Sequence, residues 1–184
     1  ANYIHNPGML IAAHFDRDSK RDFYIRMRNN FEDKINKNPM YKNVSVVDLS
    51  SKLADPGSID AVLTFRNLHN WIGPQIDIIF SNSHRALKKG GVLGIVEHRA
   101  NPGTSLEEMK KTGYVTEAYA IETAEKHGFT LIAKSEINAN PKDTKNYTRG
   151  VWTLPPVLRL KEKDKETYLN IGESDRMTLL FKKL

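Results

Sequence analysis

Polar side chains that could carry chemistry follow two apolar runs of the chain. The run DAVLTF is followed by Arg, Asn, Leu, His, Asn and Trp at positions 66–71, and the run GVLGIV is followed by Glu97, His98 and Arg99. An imidazole titrates near neutral pH, so both histidines could act as a general base, while Glu97 could orient an imidazole or bind a cationic acceptor. The sequence therefore predicts His69, His98 and Glu97 as catalytic residues.

Each of these residues also has a structural interpretation. Asn67 and Asn70 suit a turn, His69 a packed or capping histidine, and Trp71 a plug at the end of a strand. A concentration of polar groups after two strands is instead typical of a ligand cleft. We interpret the cluster as a site and leave the structural role of each member open.

Other chemistries lack their key residues. The chain has no Cys, which excludes disulfides, thiolate nucleophiles and Cys-ligated zinc. Its six histidines show no spacing of the zinc-binding type, and we expect no metal site. A Gly-x-Ser-x-Gly elbow and a phosphate-binding Gly-Lys-Ser/Thr loop are both absent from the sequence, which argues against hydrolase and nucleotide-triphosphatase activities.

Composition and charge describe one globular domain. A chain of 184 residues, 39% hydrophobic and 27% charged, is long and apolar enough for a sizeable core. It contains no apolar run near the roughly 18 residues that a membrane-spanning helix requires. The net charge of +6 comes from Lys and Arg scattered among acids, so we expect no nucleic-acid partner. Cytoplasm is the default location, and a homo-oligomer stays open.

Apolar periodicity predicts the helices that position the cluster. Apolar residues recur at every fourth position over 23–35 and predict a helix, with Ser19 as a cap and Pro39 just past its end. The other predicted helices are 74–89, ended by Gly90, and 116–126, ended by Gly128.

Apolar and β-branched runs between these helices predict strands. Strand and helix alternate, which favours an α/β fold with a parallel sheet and helices on both faces. In such a sheet ligands bind outside the carboxyl ends of the strands, where the polar cluster falls. The predicted strands are NVSVVD, SIDAVLTF, GVLGIVEH, FTLIAKSEI and DRMTLLFKKL.

Several of these stretches resemble the second half of a class I S-adenosylmethionine-dependent methyltransferase. They are VVDLSS, GSIDAVLTFRNLHNW, HRALKKGGVLGIVEHRA and HGFTLIAKSEI; TFRNLHNW, GYVTEAYAIETAEKHGF, GVWTLPP and GESDRMTLLF also resemble a bacterial subgroup of predicted methyltransferases. The resemblance implies a Rossmann-like, doubly wound, mostly parallel sheet with an antiparallel C-terminal strand. It also implies S-adenosylmethionine as the cofactor and methyl transfer to a small-molecule acceptor.

The same resemblance implies roles for individual residues. Asp48 and the backbone of Leu49 match the position that contacts the adenine ring. Phe65, Arg66 and Asn67 match the segment along the methionine portion, where Arg66 could pair with a carboxylate. The acceptor pocket is expected to include Asn70, Trp71, Arg99, Tyr114 and Trp152.

The glycine-rich turn of the family, and the acid that binds its ribose hydroxyls, have no counterpart before the first helix. The segment ANYIHNPGM resembles the end of the second strand, which places Asn2 near the ribose position. A sheet without its central first strand would leave two strand edges unpaired, at high cost. We therefore expect 1–184 to be a single methyltransferase-like domain and the C-terminal portion of a longer one, exported only if a preceding segment carries a signal peptide.

Two other functions stay open. A non-catalytic methyltransferase-like binding or interaction module is favoured by the missing glycine turn and by Asn2, whereas the polar cluster argues against it. A nicotinamide-dependent oxidoreductase shares the doubly wound layout, and its glycine fingerprint would also lie in the missing part. An enzyme should form S-adenosylhomocysteine and lose that activity on His69→Ala or His98→Ala.

Overall fold

Two sheets form the strand framework of an α/β fold. The structure, a computed structural model, describes residues 8–184. A parallel pair consists of β1 (Leu10–His14) and β2 (Val44–Asp48). The strands of the second sheet are β3 (Ile59–Phe65), β4 (Leu87–His98), β5 (Phe129–Ser135) and β6 (Arg176–Lys183). Their order is β3-β4-β6-β5, with β4 parallel to β3 and β6 antiparallel to both β4 and β5, which confirms the expected antiparallel C-terminal strand.

Three of the helices were predicted from periodicity, and two short ones were not. Thr116 caps α4 by accepting a hydrogen bond from the Tyr119 amide, and Ser105 caps α3 in the same way through Glu108. None of the helices in residues 8–184 is long and apolar enough to cross a membrane. The helices are α1 (Asp22–Asn36), α2 (Pro74–Ala86), α3 (Leu106–Thr112), α4 (Glu117–Lys126) and α5 (Lys165–Ile171).

The ends of the first two predicted helices need correction. Arg21, not Ser19, is the N-cap of α1, and it makes no capping hydrogen bond through its side chain. The second helix ends at Ala86 rather than at Lys89, and the chain continues directly into β4. Lys183 explains the early end, because its Nζ donates to the carbonyl oxygens of His84 and Leu87, at 2.6 and 2.8 Å. These carbonyls would otherwise lack partners at the helix terminus.

β1 is a strand that the sequence analysis missed. LIAAH has five residues, of which two are alanine and only one is β-branched, so it lacks the run of β-branched residues that marks a strand. The strand before α1 therefore ends at His14, and the loop beyond it begins at Phe15. Asn2, expected near the ribose, lies outside the described residues.

The main core lies between the four-stranded sheet and the helices α2 and α4. Its members include Ile79 and Phe80 of α2, Ile95 of β4 and Phe181 of β6, each at most 4% exposed. A smaller buried cluster joins Ala100, Tyr114 and Val151. The edge of the main core reaches the carboxyl ends of β3 and β4 and fixes the segments that follow them.

Within residues 8–184 the edge strands are β1 and β2 in the pair and β3 and β5 in the four-stranded sheet. β1 pairs only with β2, and β3 pairs only with β4. Leu63 and Phe65 of β3 are 60% and 61% exposed, which is unusual for large apolar side chains in a strand.

Candidate active site

The segment after β3 is held in place by two buried apolar side chains. Leu68 and Trp71 begin and end a 3-10 turn, and both belong to the main core, at 1% and 8% exposure. Arg66 starts the turn in the left-handed conformation, with φ of 53°, and its amide donates to the Val96 carbonyl at 2.7 Å. A non-glycine residue held there is strained, which is common at functional sites. The turn carries His69 against the end of β4.

Glu97 lies at the centre of the site and is fully buried. Its Oε2 accepts a hydrogen bond from the His69 amide at 3.1 Å, and its Oε1 accepts one from the His98 amide at 2.8 Å. The Nδ1 atom of His69 lies 3.1 Å from the same Oε1. The carboxylate therefore fixes the orientation of the His69 ring.

His98 completes the cluster from the other side of the strand end. Its ring centroid lies 5.5 Å from that of His69, and its Nδ1 lies 2.5 Å from the hydroxyl oxygen of the buried Ser174. Burial lowers the pKa of His98 to about 4; Glu97 opposes this effect, and His69, Arg66 and Arg176 add to it. The imidazole of His98 is therefore neutral at physiological pH.

These three residues bring metal-ligand types together. One nitrogen of each histidine and one oxygen of Glu97 all lie within 4.8 Å of one another. His98 is partly exposed, whereas Glu97 is fully buried and the side chain of His69 is only 6% exposed, so solvent approaches the cluster mainly beside His98. The arrangement could remove a proton through an imidazole or hold a cation. The expectation of no metal site rested on spacing along the chain, which does not register residues 28 positions apart that meet in space.

Trp152 packs against His69 at the edge of the cluster. It belongs to the 3-10 turn Gly150–Thr153, and its ring centroid lies 5.9 Å from that of His69, edge to face. The guanidinium carbon of Arg159 lies 4.9 Å from the centre of the indole ring. Trp152, predicted as a pocket residue, thus lies beside His69.

Three other predicted pocket residues, and Asn67 of the predicted methionine-binding segment, have structural contacts instead. Asn67 and Asn70 form a turn through their backbones and through a 2.9 Å hydrogen bond between their side chains. Trp71 lies in the core. The hydroxyl of Tyr114 donates to the buried carboxylate of Asp143, so it is not free to line a cleft.

The fifth, Arg99, is the centre of an ion-pair cluster. Its guanidinium contacts Asp175 at 2.9 Å, Glu136 at 2.7 Å and Glu117 at 3.8 Å. Lys145 contacts Asp175 from the opposite side at 2.9 Å. Arg99 therefore ties the end of β4 to the loop before β6, which also carries Ser174.

Asp175 gives the fold an acid-sensitive contact. Burial alone would raise the pKa of Asp175, but hydrogen bonds from Arg99 and Lys145 outweigh it and lower the pKa to about 2. An unfolded aspartate titrates near about 3.9, so the contribution to stability is complete above pH ~4 and is lost between about pH 4 and 2. We expect Asp175→Asn to remove about 1–2 kcal/mol at pH 6 and much less at pH 2, allowing for solvent screening.

The measurement is urea unfolding of Asp175→Asn and the wild type at several pH values. Asp60→Asn is the control, because its side chain is 83% exposed and pairs only with the exposed Lys88. A loss of stability for Asp175→Asn that stayed constant from pH 6 to pH 2 would contradict the prediction.

The expected adenine contacts lie at the carboxyl end of β2. Asp48 is one-third exposed, and its Oδ1 accepts a 2.8 Å hydrogen bond from Arg28, whose side chain is buried. Its second oxygen is not used by any of the described residues. The amide of Leu49 donates to the His14 carbonyl at 2.8 Å, so the backbone nitrogen expected to contact adenine already has a partner.

Asp16 is an acid that the sequence analysis missed. It follows β1, and β1 runs beside β2 with His14 opposite Asp48, so two acids lie at neighbouring strand ends. Asp16 accepts hydrogen bonds from the amide of Ser50, at 3.1 Å, and from its hydroxyl group. The signal in the sequence was the apolar run LIAAHF followed by an acid, which a search for β-branched strands passes over.

At the end of β3, Phe65 and Arg66 are both accessible. Phe65 is 61% exposed, and the guanidinium of Arg66 approaches Glu173 at 4.0 Å with 44% of its side chain exposed. A contact of that length between exposed groups contributes little. The guanidinium of Arg66 is therefore accessible to solvent.

Comparisons with known proteins support the fold. No protein-family model matches the chain, and no curated protein matches it. Among solved structures, it resembles a methyltransferase from Methanosarcina mazei described as S-adenosylmethionine-dependent, with a TM-score of 0.55 and 14% identity over 95% of this chain and 82% of that one. The geranyl diphosphate C-methyltransferase of Streptomyces coelicolor, solved with Mg²⁺, geranyl diphosphate and S-adenosylhomocysteine, gives 0.57 and 13% over 96% and 71%.

A third similar structure is not described as a methyltransferase. The (4+2)-cyclase SpnF matches with a TM-score of 0.58 and 14% identity over 96% of this chain and 76% of that one. The chain thus has the Rossmann-like fold of class I S-adenosylmethionine-dependent methyltransferases. Because a cyclase has the same fold, the fold alone does not fix the reaction.

Proposed function

We propose that the protein transfers a methyl group from S-adenosylmethionine to a small-molecule acceptor. The observation that carries this proposal is the contact of His69 with the buried Glu97, placed where β3 and β4 end in a methyltransferase-like sheet. An oriented imidazole at this edge can take a proton from an acceptor hydroxyl, thiol or amine. When bound, the cofactor supplies an activated methyl group.

The residues at the strand ends fit part of such a cofactor. The carboxylates of Asp16 and Asp48 can accept hydrogen bonds from the ribose hydroxyls and the adenine amine, respectively, and Arg66 can pair with the carboxylate of the methionine portion. Asp16 takes the role that the sequence analysis gave to Asn2. The glycine turn of the family is not present in the chain, so these side chains account for only part of a cofactor site.

The acceptor side consists of the histidine cluster and Trp152. Trp152 excludes water from one side of His69 and offers a flat apolar surface. The simplest role for His69 is that of the base, with Glu97 as the residue that positions it. The pocket is expected to admit a small molecule, because the cluster lies within the span of one 3-10 turn and one strand end.

The open strand edges support the proposal that 1–184 is the C-terminal portion of a longer methyltransferase-like domain. One further parallel strand between β1 and β3 would pair both edges and cover Leu63 and Phe65. An intact mass near 21 kDa, together with a cooperative thermal transition, would contradict this part of the proposal.

Calorimetric titration of the full-length protein with S-adenosylmethionine and S-adenosylhomocysteine tests the cofactor assignment. We expect micromolar binding that weakens about 10-fold in Asp16→Asn and in Asp48→Ala, because each removes a hydrogen bond to a charged group. Asp55→Ala is the control, since that carboxylate is exposed and, among residues 8–184, contacts only Lys52. No binding in a folded protein would favour the non-catalytic module, and tight binding of a nicotinamide nucleotide would favour the oxidoreductase.

A further inference from the structure

Glu97 is a buried carboxylate without a permanent cation beside it. It is fully buried, and the Nδ1 atom of His69 is the one side-chain group that contacts it among residues 8–184. Two backbone amides also donate to it. Burying a carboxylate is costly, and hydrogen bonds offset that cost only in part. A cation bound between this carboxylate and the two imidazoles would offset the remaining cost of burying it.

The separation of the ligand atoms suits one small ion. Ligand atoms around a tetrahedral zinc-sized ion lie roughly 3.4 Å apart, given bonds of about 2.1 Å. The distance from His69 Nδ1 to Glu97 Oε1 is 3.1 Å, and all three ligand atoms lie within 4.8 Å of one another.

The contacts behind the ligands resemble those of metal sites. Histidines that bind metals usually use their other ring nitrogen in a hydrogen bond, and bound carboxylates are held by further donors. Nδ1 of His98 faces the buried hydroxyl of Ser174 at 2.5 Å, which leaves Nε2 to face a ligand. Glu97 is held by the amides of His69 and His98. Both features are in place before any ion binds.

We propose that His69, Glu97 and His98 bind one divalent transition-metal ion of the zinc type. Two imidazoles and one carboxylate favour zinc, cobalt or iron(II) over magnesium and calcium, which prefer oxygen ligands alone. Three protein ligands leave a position open, as in catalytic rather than structural sites.

The metal site deepens the proposed function and rests on it only for the identity of the acceptor. An acceptor hydroxyl or thiol at the open position would be acidified by the ion. His69 would then be a ligand of the metal instead of the base. Binding of the ion itself does not depend on methyl transfer.

Titration of the chelator-treated, full-length protein with Co²⁺ and Zn²⁺ tests the proposal. We expect one equivalent of Co²⁺ to bind and to produce visible absorption bands that Zn²⁺ abolishes and that excess Mg²⁺ leaves unchanged. In Glu97→Gln and His98→Ala the affinity should fall at least about 10–100-fold, the loss typical even for residues that only support a ligand. Ser174→Ala should weaken binding by a similar factor.

Asp77→Asn is the matched control. Asp77 forms the other contact of a carboxylate with a histidine in the described chain, with His127 at 3.1 Å, and lies on the surface. Its substitution should leave Co²⁺ binding unchanged. Absence of stoichiometric binding in the wild type overturns the proposal, as does equal affinity in a Glu97→Gln protein whose circular dichroism is native. Cofactor binding is measured without metal, so failure of either proposal is visible separately.

Discussion

Gly150→Ala is expected to lose about 2–5 kcal/mol of the free energy of unfolding. Gly150 has a φ of 54°, and a Cβ atom there would lie 2.1 Å from the carbonyl oxygen of Thr112 and 2.5 Å from its Cα. Backbone atoms cannot rotate away, so α3 and the 3-10 turn must separate. Left-handed strain of about 1–2 kcal/mol adds to an overpacking cost of about 1–3 kcal/mol. The separation also displaces Trp152 from His69.

Gly103→Ala separates the steric effect from the conformational one. Gly103 has a φ of 81°, but no atom lies within 4 Å of the position that its Cβ would occupy. We expect it to lose only about 1–2 kcal/mol. Urea unfolding followed by circular dichroism measures both losses. Equal losses in the two variants would show that the contact with Thr112 is relieved cheaply.

The order of elements was readable from the sequence, whereas their arrangement was not. Segments such as VSVVD and GVLGIV carry β-branched residues that mark a strand wherever it lies. The position of β6 between β4 and β5 depends on pairing between residues far apart in the chain, which periodicity does not record. β1 was missed because LIAAH carries only one β-branched residue. The helices α3 and α5 were missed because seven residues give barely two turns.

The centre of the site was predicted, but its supports were not. His69, Glu97 and His98 stood out because they follow apolar strands, and the structure brings them into contact. Ser174 lies 76 positions from His98 and has no sequence pattern of its own. Arg99 looked like a pocket residue for the same reason as its neighbours. Only the fold shows that Asp175 holds it.

Asp143 is a buried acid that supports the site through Tyr114 and the loop before β6. It is 5% exposed, and its two oxygens accept hydrogen bonds from the hydroxyl of Tyr114, both at 3.0 Å. It also accepts from the amides of Asp175 at 2.8 Å and Lys145 at 2.9 Å. Burial and the charge of Asp143 raise the pKa of Tyr114, whose ring packs edgewise against His98.

Asp143→Ala is therefore expected to lose about 3–5 kcal/mol of stability. The substitution leaves the buried hydroxyl of Tyr114 and the amide of Asp175 without partners, at about 1–3 kcal/mol each, and opens a small cavity. Urea unfolding measures the loss. Asp60→Ala, with an 83% exposed side chain, should change stability by no more than about 0.5 kcal/mol.

The double variant Asp143→Ala with Tyr114→Phe decides whether the hydroxyl contact causes the loss. Removing both partners leaves no unpaired hydroxyl, so the double variant should lose less than the sum of the two single losses, by about 1–3 kcal/mol. Additive losses would instead assign the cost to the amides of Asp175 and Lys145.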